Sequence, residues 1–311
     1  MSDLIKATSF MLLSTFSLSV TGLLSKYLGQ AVPIELLSFT RFAVPCVLLY
    51  FFLTSRRLSP LPRGMLKVLL VRGACIAASQ WCFLMSLQTL SLVEGIVLFS
   101  TGPLFIPLLE KMWFGASIKR TTIVALLLTF IGVILMAGDL SQFHLKAELV
   151  LGLLAGLFNA GSQLTLYQAS KSTLKPVETN IWTFLFASAM MLPITLMVGW
   201  QSQGEGLWNL HTLLNWNVLF LVLLLAVLVI NTQIFRSKAY QLADSGSQLA
   251  PLIYTNLLFS SVWQILFFED AFSQQKTIGI SMIVIASVYT TFSSKRLKLK
   301  LSMPLKRFQQ S

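Results

Sequence analysis

Ten stretches of mostly apolar residues follow one another along the chain: 5–27, 34–54, 66–88, 94–114, 121–138, 148–169, 178–199, 216–239, 246–267 and 277–293. As helices, runs of roughly 18 to 24 residues cross ~30 Å of hydrocarbon. The pattern therefore predicts an all-α polytopic membrane protein with ten transmembrane helices. The connections are short, apart from 200–215, which carries Gly204, Gly206, Asn209 and Asn215 and reads as a loop. No soluble domain is inserted. The first run, Lys6 followed by apolar residues to about Leu24, has some character of a signal peptide. It lacks a small-x-small cleavage site and is read as the first span.

The runs also repeat. Pro33-Ile34-Glu35 and Pro176-Val177-Glu178 each open an apolar run, 29 residues beyond the start of an earlier run at Leu4 and Ala147 respectively. An offset of half the chain is the trace expected of gene duplication. A second, weaker echo keeps the register: Phe83 to Leu90 precedes the fourth span and Phe235 to Leu242 the ninth, and a short polar turn follows each. Ten spans split five and five, and five is odd, so the second half is expected upside down relative to the first. The expected units are 1–146, 147–293 and a basic tail, 294–311.

Composition agrees. A mean hydropathy of +0.77, with 55% hydrophobic and 11% charged residues, lies far from soluble domains, where about a quarter of residues are charged. The net charge of +12 does not point to nucleic acid, because the basic residues cluster between apolar runs and in the tail. Placing the N-terminus inside puts twelve of them (Lys6, Arg56, Arg57, Arg63, Lys67, Lys111, Lys119, Arg120, Lys171, Lys175, Arg236 and Lys238) and six in the tail on the cytoplasmic side. Three, Lys26, Lys146 and Lys276, fall outside, and Arg41 and Arg72 fall within spans. The positive-inside rule then predicts both termini in the cytoplasm. Cys46, Cys75 and Cys82 lie inside apolar runs without metal-ligand spacing, and His144 and His211 fall in loops. No metal site, cofactor motif or Gly-x-x-x-x-Gly-Lys loop is present, which argues against ATP-driven transport by this chain.

The ten-span pattern, the second-span sequence Pro33-Ile34-Glu35-Leu36-Leu37-Ser38-Phe39-Thr40-Arg41-Phe42, the turn and proline-containing span Leu90 to Pro107 and its counterpart Leu242 to Pro251 resemble the drug/metabolite transporter superfamily, in its EamA-type branch. The resemblance covers nearly the whole chain up to the basic tail, and the two units would be EamA-type repeats. One departure is visible: the family often carries Gly-Glu at the cytoplasmic end of the fourth span, where this chain has Gly115-Ala116-Ser117; the ninth span keeps acids in Phe268-Glu269-Asp270. The resemblance implies a transporter in the cytoplasmic (inner) membrane of a bacterium, with a small-molecule substrate and the lipid bilayer as partners. It leaves the cargo and the choice between monomer and homodimer open.

Ionisable groups inside hydrocarbon are costly and are treated as site candidates. Arg41, two turns below the outer end of the second span, has a fork suited to a carboxylate or phosphate; its alternatives are a structural pair with Glu35 or Glu94, or snorkelling. Arg72, near the cytoplasmic end of the third span, is expected to snorkel. Glu110 and Lys111 are expected to form an interfacial pair. No carboxylate lies near the middle of any span. Asn159, Gln163 and Tyr167 recur every four residues on one face of the sixth helix, as Asn256, Ser260 and Gln264 do on the ninth, beside Tyr254 and Trp263. With Gln80 and Trp81 in the third span and Asn231 and Gln233 in the eighth, they are candidate substrate-binding residues lining a cavity at mid-depth. The alternative is that these amides tie helices together. Gly102, Pro103 and Pro107 interrupt the fourth span and Pro251 the ninth, matched breaks of the kind that mark transporter sites; Pro45 and Pro193 are further candidate hinges. Gly152 and Gly156 are expected to serve close packing within the bundle.

These features predict a secondary transporter that moves a small organic metabolite, such as an amino acid or drug-like compound, across the cytoplasmic membrane by alternating access, with efflux as the expected direction. The alternative is uptake of an anionic or aromatic cofactor-like metabolite. An intramembrane enzyme would need convergent acid and base groups, and only His144, Asp139 and Lys146 on one loop qualify. A non-transporting receptor is disfavoured by the lack of a partner-binding domain.

Overall fold

The computed structural model describes residues 3–53, 61–62, 64–114, 123–124, 127–129, 131–132, 135, 147–201, 215–243, 249, 252–253, 255–268, 274–275, 277–286 and 289. Pro251, Tyr254, His144, His211, Gly115 to Ser117, Glu269, Asp270, the loop 202–214, most of the fifth predicted span and the tail 294–311 lie outside them.

Among the described residues the elements are all helical: α1 (Asp3–Ala31), α2 (Ile34–Leu53), α3 (Met65–Ser86), α4 (Leu92–Phe99), α5 (Gly102–Phe114), α6 (Ala147–Ser170), α7 (Pro176–Gln201), α8 (Trp216–Leu242), α9 (Thr255–Phe267) and α10 (Thr277–Ala286). Six of them, α1, α2, α3, α6, α7 and α8, are long and apolar enough to cross a membrane. Large apolar side chains point outward, among them Phe51, Met197 and Ile265, as lipid-facing surfaces require. Trp200 and Trp216, the most exposed large apolar side chains among the described residues at 90% and 82%, sit where α7 ends and α8 begins. That is the placement of an interfacial aromatic belt.

Local signals set the helix starts. Pro176 opens α7, where its missing N–H costs nothing. Gly64 caps α3 with φ +87°, a backbone that L side chains rarely adopt. Ser91 and Glu94 form a reciprocal capping box at α4.

Let the near face be the end of the bundle where α1 begins and the far face the end where α1 finishes. α8 runs against α1, with Phe10 stacked on Phe235 and Ser14 Oγ donating to the Thr232 carbonyl at 2.8 Å. α6 runs against α3, since Arg72 meets Ser162 while Ser79 Oγ donates to the Ala155 carbonyl at 2.8 Å. α3 and α1 both end at the far face, where Lys26 Nζ donates to the Leu90 carbonyl at 2.6 Å. Hence α6 enters from the face opposite α1, and the second half is inverted as expected.

The pairing of helices carries the same pseudo-two-fold. α1 on α8 and α6 on α3 are the most extensive interfaces, and they exchange when the halves are swapped; α2 packs on α7 across the axis, with Phe42 against Phe184 at 6.3 Å. Even single bonds follow it. Lys26, near the end of α1, caps the Leu90 carbonyl beyond α3; Lys171, just after α6, caps the Ala243 carbonyl beyond α8 at 2.9 Å. Glu35 starts α2 at the far face and Glu178 starts α7 at the near face.

The fourth predicted span is two helices. α4 ends at Phe99, α5 starts at Gly102, and Pro103 has no N–H to continue the ladder. The break rests on α6: a Cβ added at Gly156 would lie 2.6 Å from Thr101 Oγ1 and 2.8 Å from the Leu98 carbonyl oxygen. Gly152 likewise lies against Leu98. Both glycines are thus buried against the bundle's own chain.

Candidate functional site

Serine and threonine hydroxyls fill much of the interior, and most return a bond to a carbonyl three or four residues back, as at Thr15, Ser19, Thr21 and Thr165. Such groups are satisfied within their own helix. Two groups of charged and amide side chains are not satisfied this way.

In the far half, Arg41 on α2 is 4% exposed and donates a hydrogen bond from Nη1 to Ser25 Oγ on α1. It borders a water-sized cavity of about 10 Å³, lined also by Leu18, Thr21, Gln80, Phe83, Ile96 and Phe99. Two of the residues picked from sequence, Arg41 and Gln80, therefore meet. Gln80 Oε1 has no hydrogen-bond partner. The cavity has room for about one water, so in this state the bundle is closed around the guanidinium. Trp81, next to Gln80, packs between the two largest apolar clusters, with its indole N–H unpartnered.

In the near half, Arg72 on α3 is 1% exposed. Its snorkelling, expected from the sequence, does not occur. Nε donates to Thr183 Oγ1 on α7 at 2.9 Å, Nη1 to the Ser162 carbonyl on α6 at 2.9 Å, and Nη2 to Gln233 Oε1 on α8 at 3.0 Å. One guanidinium thus binds three helices, which a side chain turned towards the interface could not do. Arg236 on α8 corrects the sequence reading too. Counted there as a cytoplasmic anchor, it is 2% exposed, because α8 continues to Leu242 and leaves six residues between Arg236 and the helix end. Its Nε and Nη2 have no hydrogen bond. Arg72, Arg236 and Tyr240 lie close enough to act on one another electrostatically.

Tyr240 donates its hydroxyl to Gln163 Oε1 at 3.0 Å, and Gln163 Nε2 donates to Asn159 Oδ1 at 3.3 Å. Tyr167 meets the Tyr240 ring edge to face at 6.1 Å, with Lys171 above its own ring. The near cluster thus joins Asn159, Gln163, Tyr167 and Gln233 from the sequence set with Arg72, Arg236 and Tyr240, which were not in it. A signal was present: Gln233, Arg236 and Tyr240 recur at i, i+3 and i+7, one face of a helix.

The remaining candidates stand apart. Trp263 on α9 donates to Ser19 Oγ on α1 at 3.0 Å, and Gln264 Oε1 caps the Leu92 amide at 3.0 Å. Asn256 is buried with Oδ1 unpartnered, as is the Ser260 hydroxyl. Asn231 is half-buried. Pro45 and Pro193 lie inside α2 and α7, and Pro107 inside α5. Among the described residues no group of three or more His, Cys, Asp or Glu could hold a metal.

Inverted halves with buried polar groups at their junction define a class, the polytopic helical membrane carriers. Within it, this chain belongs to the EamA-like transporter family, whose profile matches residues 5–138 and again 146–292. The chain is similar to the pseudopaline exporter CntI of two Pseudomonas aeruginosa strains, at 25% identity over 94% of this chain and 99% of the relative. It is also similar to an uncharacterized transporter of Helicobacter pylori, at 19% identity over 78% of this chain and 80% of that one. A solved crystal structure shares the fold with a TM-score of 0.59 at 16% identity, covering 94% of this chain and 97% of the other.

Proposed function

We propose that the protein is a secondary transporter that exports a small organic metabolite across the cytoplasmic membrane by alternating access, with its near face in the cytoplasm. The observation that carries this reading is the exchange of α1–α8 with α6–α3 around buried, incompletely bonded polar groups in each half. Two arrangements of nearly equal energy are what inverted halves provide, and a site between them is exposed to each side in turn. Export, rather than uptake, is supported by the exporters to which the chain is similar along almost its whole length. The repeats are 1–146 and 147–293, followed by the tail 294–311.

In this reading Arg41, Gln80 and Trp81 serve the far half of the path, and Asn159, Gln163, Tyr167 and Gln233 the near half. Asn231, Asn256 and Trp263 are assigned to the path as well, together with Tyr254 from its place in the sequence. The break at Gly102 and Pro103 lets the fourth span move; Pro107, expected to interrupt that span, lies inside the unbroken α5 and serves with Pro45 and Pro193 as a hinge, and Pro251, outside the described residues, is assigned the matching role from its place in the sequence. The test is flux in everted membrane vesicles, with a panel of amino acids, amino-acid-derived acids and amphipathic amines as solutes. Saturable, protein-dependent accumulation of one class is expected. Folded, correctly inserted protein that moves none of them would sink the proposal.

A further inference from the structure

We infer that α8 presents a carboxylate-binding edge in the near half of the bundle, formed by Arg236 with Arg72 behind it. The inference rests on the transport reading for its purpose but not for its chemistry. Arg236 is 2% exposed and lies about 9 Å inside the end of α8, at 1.5 Å per residue. The two nitrogens without a hydrogen bond are Nε and Nη2. These are neighbours on one edge of the guanidinium, and their two parallel N–H groups match the two oxygens of a carboxylate.

The surroundings favour an anion from outside the chain. Every nitrogen of Arg72 is already held by a neutral acceptor, on α6, α7 and α8. Its charge is therefore fixed in place and uncompensated, and it raises the positive potential at Arg236. Among the described residues neither guanidinium is paired with a carboxylate. Two cations in a water-poor interior without a counter-charge are unfavourable, and a ligand oxyanion removes that penalty as it binds. Tyr240, Gln163 and Asn159, linked by hydrogen bonds, form a polar wall beside the edge and offer partners to the rest of an amino-acid-like solute. The substrate class implied is an organic acid with at least one carboxylate, bound first from the near face.

The experiment uses the full-length protein purified in detergent, with thermal unfolding as the readout, because a ligand of the native state raises apparent stability. Probes are a tricarboxylate (citrate), its neutral amide, inorganic phosphate and chloride, at equal ionic strength. Citrate is expected to stabilise the wild type saturably, and its amide is expected to have no effect. In Arg236→Met the citrate response is expected to weaken at least about tenfold, while the ligand-free protein unfolds at the same or a higher temperature, because a buried unpaired charge has been replaced by an apolar side chain of similar size. Arg236→Lys, which keeps the charge and loses the parallel edge, should fall between them.

An undiminished citrate response in Arg236→Met would overturn the inference. So would equal protection by chloride, which would mark a structural halide, or a stronger response to phosphate, which would name a different oxyanion. A ligand-free Arg236→Met protein that unfolds far below wild type would mark a structural arginine and also overturn it. Failure of the transport reading is distinct: citrate binding that depends on Arg236 in a protein without flux leaves the site standing. Flux of a neutral solute untouched by Arg236→Met leaves transport standing and removes the site.

Discussion

Gly156 allows the sharpest test of how the break in the fourth span is held. Replacing it by alanine places a Cβ 2.6 Å from Thr101 Oγ1, 2.8 Å from the Leu98 carbonyl oxygen and 3.3 Å from that of Phe99, whereas real Cβ atoms do not come within 3.0 Å of such neighbours. Two of these atoms are main chain and cannot turn away, so α4 and the start of α5 must retreat from α6. Overpacking of this kind costs about 1–3 kcal/mol. Alanine also gains about 1 kcal/mol of helix propensity over glycine, which would blur a single measurement.

Gly22 supplies the control. There the new Cβ meets only the end of the Ile96 side chain at 3.2 Å and a Leu92 methyl at 3.6 Å. Both sites are interior positions of long helices, so the propensity gain is shared and the difference between the two variants isolates the close approach. In SDS titrations of purified protein, Gly22→Ala is expected at or above wild type, and Gly156→Ala below Gly22→Ala by about 1–3 kcal/mol. Flux should fall as well in Gly156→Ala, since Asn159 sits beside Gly102 at the start of α5. Equal stability of the two alanine variants would refute the view that this contact positions the break.

Other expectations follow from single side chains. Arg72→Ala removes bonds to three helices and leaves a void, and should lower stability by about 2–5 kcal/mol in the same titration; a loss under 1 kcal/mol would mean the three bonds add nothing. Lys26→Ala deletes the cap on the Leu90 carbonyl at one face and Lys171→Ala the caps on the Gln241 and Ala243 carbonyls at the other, each bond worth about 1 kcal/mol or roughly a fivefold change in equilibrium. They should shift the accessibility of cysteines introduced at the two faces in opposite directions, and a shift in the same direction would contradict the pseudo-two-fold. Arg41→Ala should reduce transport of anionic solutes more than of neutral ones in vesicles, and unchanged transport of an anion would remove its role as a carboxylate clamp.

Hydropathy and proline placement were enough to place six of the spans to within a few residues, and to read the inversion of the halves, the opposite faces of Glu35 and Glu178, and the break at Gly102 and Pro103. Each depends on a local property: the length of an apolar run, the parity of a count, a missing N–H. Arg72 and Arg236 show where such reasoning stops. Distance from a run's end suggested that both reach the interface, yet Arg72 is met by Ser162, Thr183 and Gln233, between 90 and 161 residues away. Those partners exist only because the inverted halves lay α3 across α6, α7 and α8. Helical period could place Gln233, Arg236 and Tyr240 on one face of α8. Whether that face met lipid, water or a second arginine depended on packing among helices remote in the chain, which no window of sequence contains.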